Sequence, residues 1–157
     1  MIRTATAGDA AGVLAIYAPI ILETHTSFEL EVPPEEEIAR RITSAIAYLV
    51  CDLDGRVAGY AYATRWRERP AYRFTAEVSV YVHEAYHRRG IANALYARLF
   101  EELRSRDYHR ALAAIALPNA NSIAFHERFG FTPVGVFREV GLKFDRWWDV
   151  GWWERAV

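Results

Sequence analysis

Cysteine is nearly absent: the 157 residues contain one, Cys51. A lone cysteine closes no intrachain disulfide, which fits a reducing compartment, and its expected place is that of a small buried hydrophobe. No apolar run approaches the roughly 20 residues that a membrane span needs. Met1-Ile2-Arg3-Thr4 leads straight into a strand-like run, without the basic and apolar regions of a secretory signal. The expected setting is therefore cytoplasmic, with no membrane partner. An excess of either charge is also missing. Nineteen Lys and Arg face 20 Asp and Glu, a net charge of −1, which argues against a nucleic-acid partner. No repeat, low-complexity tract or linker divides the chain, and its length suits one domain, residues 1–157, around one core. His25, His83 and His109 share no metal-ligand spacing with carboxylates or the cysteine, so no metal is expected.

Apolar residues are plentiful, at 52%, enough for burial to offset the ordering entropy. Met1 to Ala5 reads as a strand. Thr6-x-x-Asp9 then resembles a capping box before a helix with Val13, Leu14, Ile16, Tyr17 and Ile20 on one face. Pro33-Pro34-Glu35-Glu36-Glu37 starts a second helix, since proline fits the first turn and carboxylates favour the positive end of the dipole; it is expected to end near Ile46. Ala47 to Asp52 and Arg56 to Thr64 are strands joined by the hairpin signal Asp54-Gly55. Thr75 to Val82 alternates and is β-branched; Gly90 to Arg106 has helical periodicity; Arg110 to Leu117 is a buried strand. Asn121 to Phe129 is a short helix closed by Gly130, and Phe131 to Phe137 and Trp148 to Arg155 are the last strands. The expected fold is α/β: a central, mostly antiparallel sheet flanked by helices on both faces, with one parallel crossover between residues 75 and 117.

Chemistry concentrates at Val80-Tyr81-Val82-His83-Glu84-Ala85-Tyr86-His87-Arg88-Arg89-Gly90-Ile91-Ala92-Asn93. A strand enters a basic loop, then a glycine, then a helix. Free N–H groups and the dipole at a helix N-terminus make an anion site. Gly90 permits close approach of a phosphate, and Ala92 keeps the next turn thin. By itself this pattern fits a tight turn with solvated arginines equally well.

The same segment, His87-x-x-Gly90-x-Ala92, resembles the acetyl-CoA motif of the GNAT N-acetyltransferases, Gln/Arg-x-x-Gly-x-Gly/Ala. Leu117-Pro118-Asn119-x-x-Ser122-x-x-x-His126-x-x-x-Gly130-Phe131 is similar to that family's second cofactor motif. Further likeness points to the phosphinothricin and methionine sulfoximine acetyltransferase branch. It lies in Trp66-x-x-Arg69-x-Ala71-Tyr72, Thr75-x-Glu77, Val80-Tyr81-Val82 and Gly141-x-Lys143-x-x-x-Trp147-x-Asp149-Val150-Gly151-x-Trp153.

The resemblance implies acetyl-CoA as co-substrate and a small amino-acid-like amine as acceptor. It implies that the main chain of Val80, Tyr81 and Val82 pairs with the pantetheine arm. Arg88, Arg89, Gly90, Ile91, Ala92 and Asn93 would hold the pyrophosphate, and Asn119 the pantetheine. Glu77 stands at the position of the branch's general base, and a glutamate in an apolar strand calls for a reason. His126 stands where many relatives carry a tyrosine that protonates the thiolate, and histidine exchanges protons near neutrality.

Arg65, Arg67, Arg69 and Arg73 form a basic group interleaved with aromatics. It is short for an RNA site and better suited to a carboxylate or phosphinate; the resemblance points to Arg69 and Tyr72, then Arg67. Phe28, in Thr26-Ser27-Phe28-Glu29, resembles the branch's acceptor-side wall. Trp147, Trp148, Trp152 and Trp153 pack a core or line the interface of a homodimer. Competing activities are acetylation of a protein N-terminus or a polyamine, and acyl-CoA sensing without catalysis. The basic acceptor side argues against a polyamine, a closed carboxylate-reading pocket against a protein, and Glu77 with His126 against a mere sensor.

Overall fold

A computed structural model describes residues 1–157. Strand β1 (Ile2–Thr4) precedes helices α1 (Ala10–Glu23) and α2 (Glu35–Ser44), and the hairpin β2 (Ala47–Leu53) and β3 (Arg56–Arg65) follows. Strand β4 (Thr75–Val82), helix α3 (Ile91–Ser105) and strand β5 (Arg110–Ala116) form the crossover. Helix α4 (Ala120–Arg128) and the hairpin β6 (Thr132–Lys143) and β7 (Arg146–Ala156) complete the chain. The seven strands lie in the order β1-β2-β3-β4-β5-β7-β6, and the β4–β5 pair alone is parallel. No helix is long and apolar enough to cross a membrane.

Two apolar clusters sandwich the sheet. On one face α3 buries Leu95, Tyr96, Leu99, Phe100 and Leu103 against Ala61, Ala63, Ala76 and Val78. Small residues on the strands let this helix approach closely, and Gly59 continues the pattern: a Cβ there would stand 3.0 Å from the Tyr81 carbonyl oxygen and 3.1 Å from Ile91. On the other face α1 and α2 bury Val13, Ile16, Ile38 and Ile42 against Tyr48, Val50 and Tyr60. The start of α1 is held by Asp9, whose carboxylate accepts the Thr6 N–H (2.8 Å) and two bonds from Arg3 (2.9 and 2.7 Å).

Most element boundaries match the sequence reading within two residues. Helix α2 ends at Ser44 because Ala45 turns extended to enter β2. The last hairpin is longer than expected: β6 continues beyond Phe137 to Lys143, and β7 starts at Arg146. A bulge between Phe137 and Gly141, with Glu139 at φ 51°, breaks the alternation that marks a strand. The Glu139 N–H is satisfied by the Asp149 carboxylate at 2.8 Å. The turn itself, Phe144-Asp145, has φ of 54° and 53° without a glycine or asparagine to signal it.

Candidate active site

Strands β4 and β5 are in register for only three pairs, ending at Glu77 and Leu112. Beyond this fork they splay. Residues Val78–Val82 remain bonded to β3, while Ala113–Ala116 follow β7, so the facing edges of β4 and β5 are left without strand partners. The fork opens a cleft of about 700 Å³. Its walls carry β4 on one side and Ala114, Ile115, Ala116 and α4 on the other, and the start of α3 lies at its mouth.

Of the expected cofactor residues, Val80, Tyr81, Val82, Arg88, Gly90, Ile91, Ala92, Asn93 and Asn119 all border this cleft. The loop leading into α3 is built for close approach. Arg88 and Gly90 both have positive φ, 62° and 74°, and a Cβ on Gly90 would meet no protein atom within 4 Å. Ala94 N–H is bonded to the Gly90 carbonyl (3.0 Å), so the preceding N–H groups of α3 have no helical partner. His87, at the first position of the motif, lies 2.9 Å through Nε2 from the Val82 carbonyl; a carbonyl only accepts, so Nε2–H donates and ties loop to strand. Arg89 does not border the cleft: its guanidinium lies over the Tyr86 ring, 5.3 Å from the centroid. Asn119 uses its side-chain oxygen to cap α4, accepting the Ser122 N–H at 3.2 Å, and its amide NH₂ remains available.

Glu77 stands at the fork itself. Paired in register with Thr64, it shares the α1–α2 side of the sheet with the Tyr62–Ser79 and Tyr60–Tyr81 pairs. It is half-buried, and this desolvation raises its pKa above the usual carboxylate range.

His126 approaches from the opposite face. Its Nδ1 lies 2.8 Å from the Ser122 carbonyl, which fixes the proton on Nδ1, so Nε2 accepts from the Tyr96 hydroxyl at 3.0 Å. Tyr96 is a partner that periodicity alone marks as core. Burial lowers the pKa of His126, outweighing the Ser122 contact that raises it, so the ring is neutral near pH 7 with both nitrogens engaged.

The expected acceptor residues lie on two connections, Phe28 between α1 and α2, and Arg67, Arg69 and Tyr72 between β3 and β4. The segment from His25 to Phe28 is fastened across the cleft. The His25 ring stacks on Trp148 at 4.1 Å and its Nε2 meets the Pro118 carbonyl at 2.8 Å. Lys143, buried, donates to the Ser27 carbonyl at 2.6 Å. Arg67, Arg69 and Tyr72 are exposed and do not border the cleft within this chain. Tyr72 meets Trp66 edge-on at 5.0 Å. Arg65 pairs with Glu68, Arg67 covers Trp66 and Arg73 covers Phe74. Arg69 is thus the arginine of this group left without a partner. Thr26, Tyr86, Ser122 and Phe125 also line the cleft, and sequence reading assigned them no role; a side chain placed by a loop or a helix face leaves no spacing signal.

The acetyltransferase (GNAT) domain family matches residues 2–152. The phosphinothricin N-acetyltransferase of Streptomyces coelicolor is 50% identical over 101 residues, 64% of this chain and 59% of that relative. That of Streptomyces viridochromogenes is 38% identical over 98% of this chain and 86% of the relative. The L-methionine sulfoximine/L-methionine sulfone acetyltransferase of Salmonella typhimurium is 35% identical over 95% and 90%. Among solved structures, a phosphinothricin acetyltransferase from Sinorhizobium meliloti in complex with acetyl-CoA superposes with a TM-score of 0.94 at 32% identity, covering 100% of this chain and 88% of that one. A ribosomal-protein-alanine N-acetyltransferase from Brucella melitensis superposes with 0.94 at 34%, covering 100% and 99%. Sequence and fold agree along the whole length, and the chain belongs to the GNAT family as an acetyl-CoA-dependent N-acetyltransferase.

Proposed function

We propose that this enzyme acetylates the α-amine of a small amino-acid-like acceptor such as phosphinothricin, methionine sulfoximine or methionine sulfone. The observation that carries the reading is the placement of Glu77 at the fork, half-buried and next to the free edge of β4. Acetyl-CoA supplies an activated acetyl group on a thiol leaving group. The residues present fit it: an unpaired strand edge suits the amides of a pantetheine arm, and Arg88, Gly90 and the first turn of α3 suit a pyrophosphate.

Glu77 accepts the first proton of the acceptor ammonium, directly or through a water, freeing the nitrogen lone pair to form the new C–N bond. As the C–S bond breaks, the second proton leaves the nitrogen and passes to the departing thiolate, giving the amide and the free thiol. Its raised pKa matches this task, since a base works best with a pKa drawn toward the working pH. A main-chain N–H of β4 polarises the thioester carbonyl. His126, neutral and held by Tyr96 and Ser122, carries no second proton to donate, so it serves as a base or as a fixed dipole beside the leaving sulfur. Arg69, with Tyr72 and Arg67, takes the acidic group of the acceptor, and Phe28 walls its side.

Val136, Phe137, Val140, Phe144 and Trp147 on the outer hairpin are exposed; an apolar surface of this kind supports a homodimer through β6 and β7. We place the enzyme in the cytoplasm as a single domain. The Brucella relative's name points to protein acetylation, but Arg69 and a half-buried base favour a small acid. The test is a screen of amines with acetyl-CoA, following free thiol: phosphinothricin or methionine sulfone should be acetylated and polyamines should not. Preference for a peptide N-terminus would overturn the acceptor class.

A further inference from the structure

A second cavity, of about 250 Å³, lies on the α1–α2 side of the sheet, separate from the cofactor cleft. Tyr48, Tyr60 and Tyr62 form its floor, stacked with centroids 5.1 to 6.2 Å apart, and Tyr17, Val13 and Ile38 close it from the helices. Tyr48 and Tyr60 are 7% and 1% exposed, yet neither hydroxyl has a hydrogen-bond partner in the protein. Buried hydroxyls rarely go unpaired, and both tyrosines line the cavity, the open space beside them. Arg41 at the rim is already held by Glu29 (2.6 Å) and Glu37 (2.9 Å). The Tyr48 and Tyr60 hydroxyls, with the Thr64 hydroxyl at one end, are therefore donors left for a ligand.

The position of this cavity connects it to catalysis. Thr64, at one end, is the cross-strand neighbour of Glu77, and Tyr62 is the neighbour of Ser79, which borders the cofactor cleft. A molecule with its amine at Glu77 and its acid toward the Arg67–Tyr72 loop has this cavity directly beside it. We infer that the tyrosine cavity is the subsite for the acceptor's side chain, and that it selects an apolar stem ending in a hydrogen-bond-accepting oxygen. The aromatic floor packs the stem, and the Tyr48 and Tyr60 hydroxyls donate to the terminal oxygen. The inference rests on the amino-acid-like acceptor proposed above.

The test compares L-methionine sulfone with L-methionine, which has the same reach but lacks the oxygens, using wild-type enzyme, Tyr48→Phe, Tyr60→Phe and the double variant. Each substitution keeps the ring and removes a donor. The sulfone-to-methionine ratio of kcat/KM should fall roughly five- to tenfold per hydroxyl, with the acetyl-CoA Kd and the melting temperature nearly unchanged. Val13→Phe, which shrinks the cavity from the helix side, should lower activity on both acceptors relative to L-alanine. An unchanged ratio in all variants, or an equal loss for every acceptor, overturns the subsite while leaving the acetyltransferase reading intact. If wild-type enzyme acetylates no α-amino acid, the acceptor reading fails, and the subsite with it.

Discussion

The ring of Phe28 occupies the space above Gly141: a Cβ on that glycine would stand 2.2 Å from Cε2 and 2.6 Å from Cζ. The loop between α1 and α2 therefore seats an aromatic side chain directly on the β6 backbone. Gly141→Ala should displace Phe28, the proposed wall of the acceptor site. Overpacking of this kind costs about 1–3 kcal/mol. Acceptor KM should rise while the acetyl-CoA Kd changes little, since neither Phe28 nor Gly141 lines the cofactor cleft. Wild-type KM with normal stability would remove Phe28 from the acceptor site.

At Gly90 two demands can be separated. Its φ of 74° strains a β-branched residue, while asparagine tolerates that region. No protein atom lies near the position a Cβ would take. Gly90→Asn should fold with stability close to wild type yet weaken acetyl-CoA binding by tenfold or more, because the added side chain meets only the ligand. Gly90→Val should lose both. Calorimetric titration with acetyl-CoA checks this, and an unchanged Kd in Gly90→Asn places the pyrophosphate elsewhere.

The order of elements was legible because periodicity and capping residues carry it: Leu95, Leu99 and Leu103 mark α3, and Asp54-Gly55 marks the first hairpin. Glu77 stood out for a physical reason, a carboxylate inside an apolar strand. The depth of the site was not legible. The fork between β4 and β5 depends on β5 following β7 after Leu112, which no local pattern records. Tyr96 reads as an ordinary core position of an amphipathic helix, and its bond to His126 spans 30 residues. The tyrosine cavity arises from cross-strand pairs, so Tyr48, Tyr60 and Tyr62 become neighbours only once register is known.

The outer hairpin offers a test of assembly. Phe137 and Trp147 are exposed, at 58% and 56%, on a strand pair at the sheet edge. A charge placed there should be harmless to a monomer and damaging to a dimer. If the proposed homodimer forms, wild type should sediment as a dimer and Phe137→Asp as a monomer in sedimentation velocity at micromolar concentration, with little change in far-ultraviolet circular dichroism. A wild-type chain that sediments as a monomer would sink the assembly outright.

The proposed base, Glu77, would link catalysis to stability. Burial raises its pKa, so in the folded chain the charged form is disfavoured. The sign follows from linkage: a carboxyl harder to ionise folded than unfolded lowers stability as pH rises through its unfolded value and on toward its folded one. Glu77→Gln removes this penalty. It should melt higher than wild type at pH 7, and the difference should shrink as pH falls and disappear near pH 3, about one unit or more below the unfolded pKa, where both states hold the proton. The same substitution removes the proposed base, so kcat should fall by about 10²–10⁴-fold at neutral pH. The loss should shrink as pH rises and the free amine becomes abundant. In wild type the acid limb of the kcat/KM profile should lie above the ordinary carboxylate range. A variant that is slower but no more stable would mean that Glu77 is not desolvated in the resting enzyme. A more stable variant with wild-type kcat would make the carboxylate a structural burden and pass the role of base to His126.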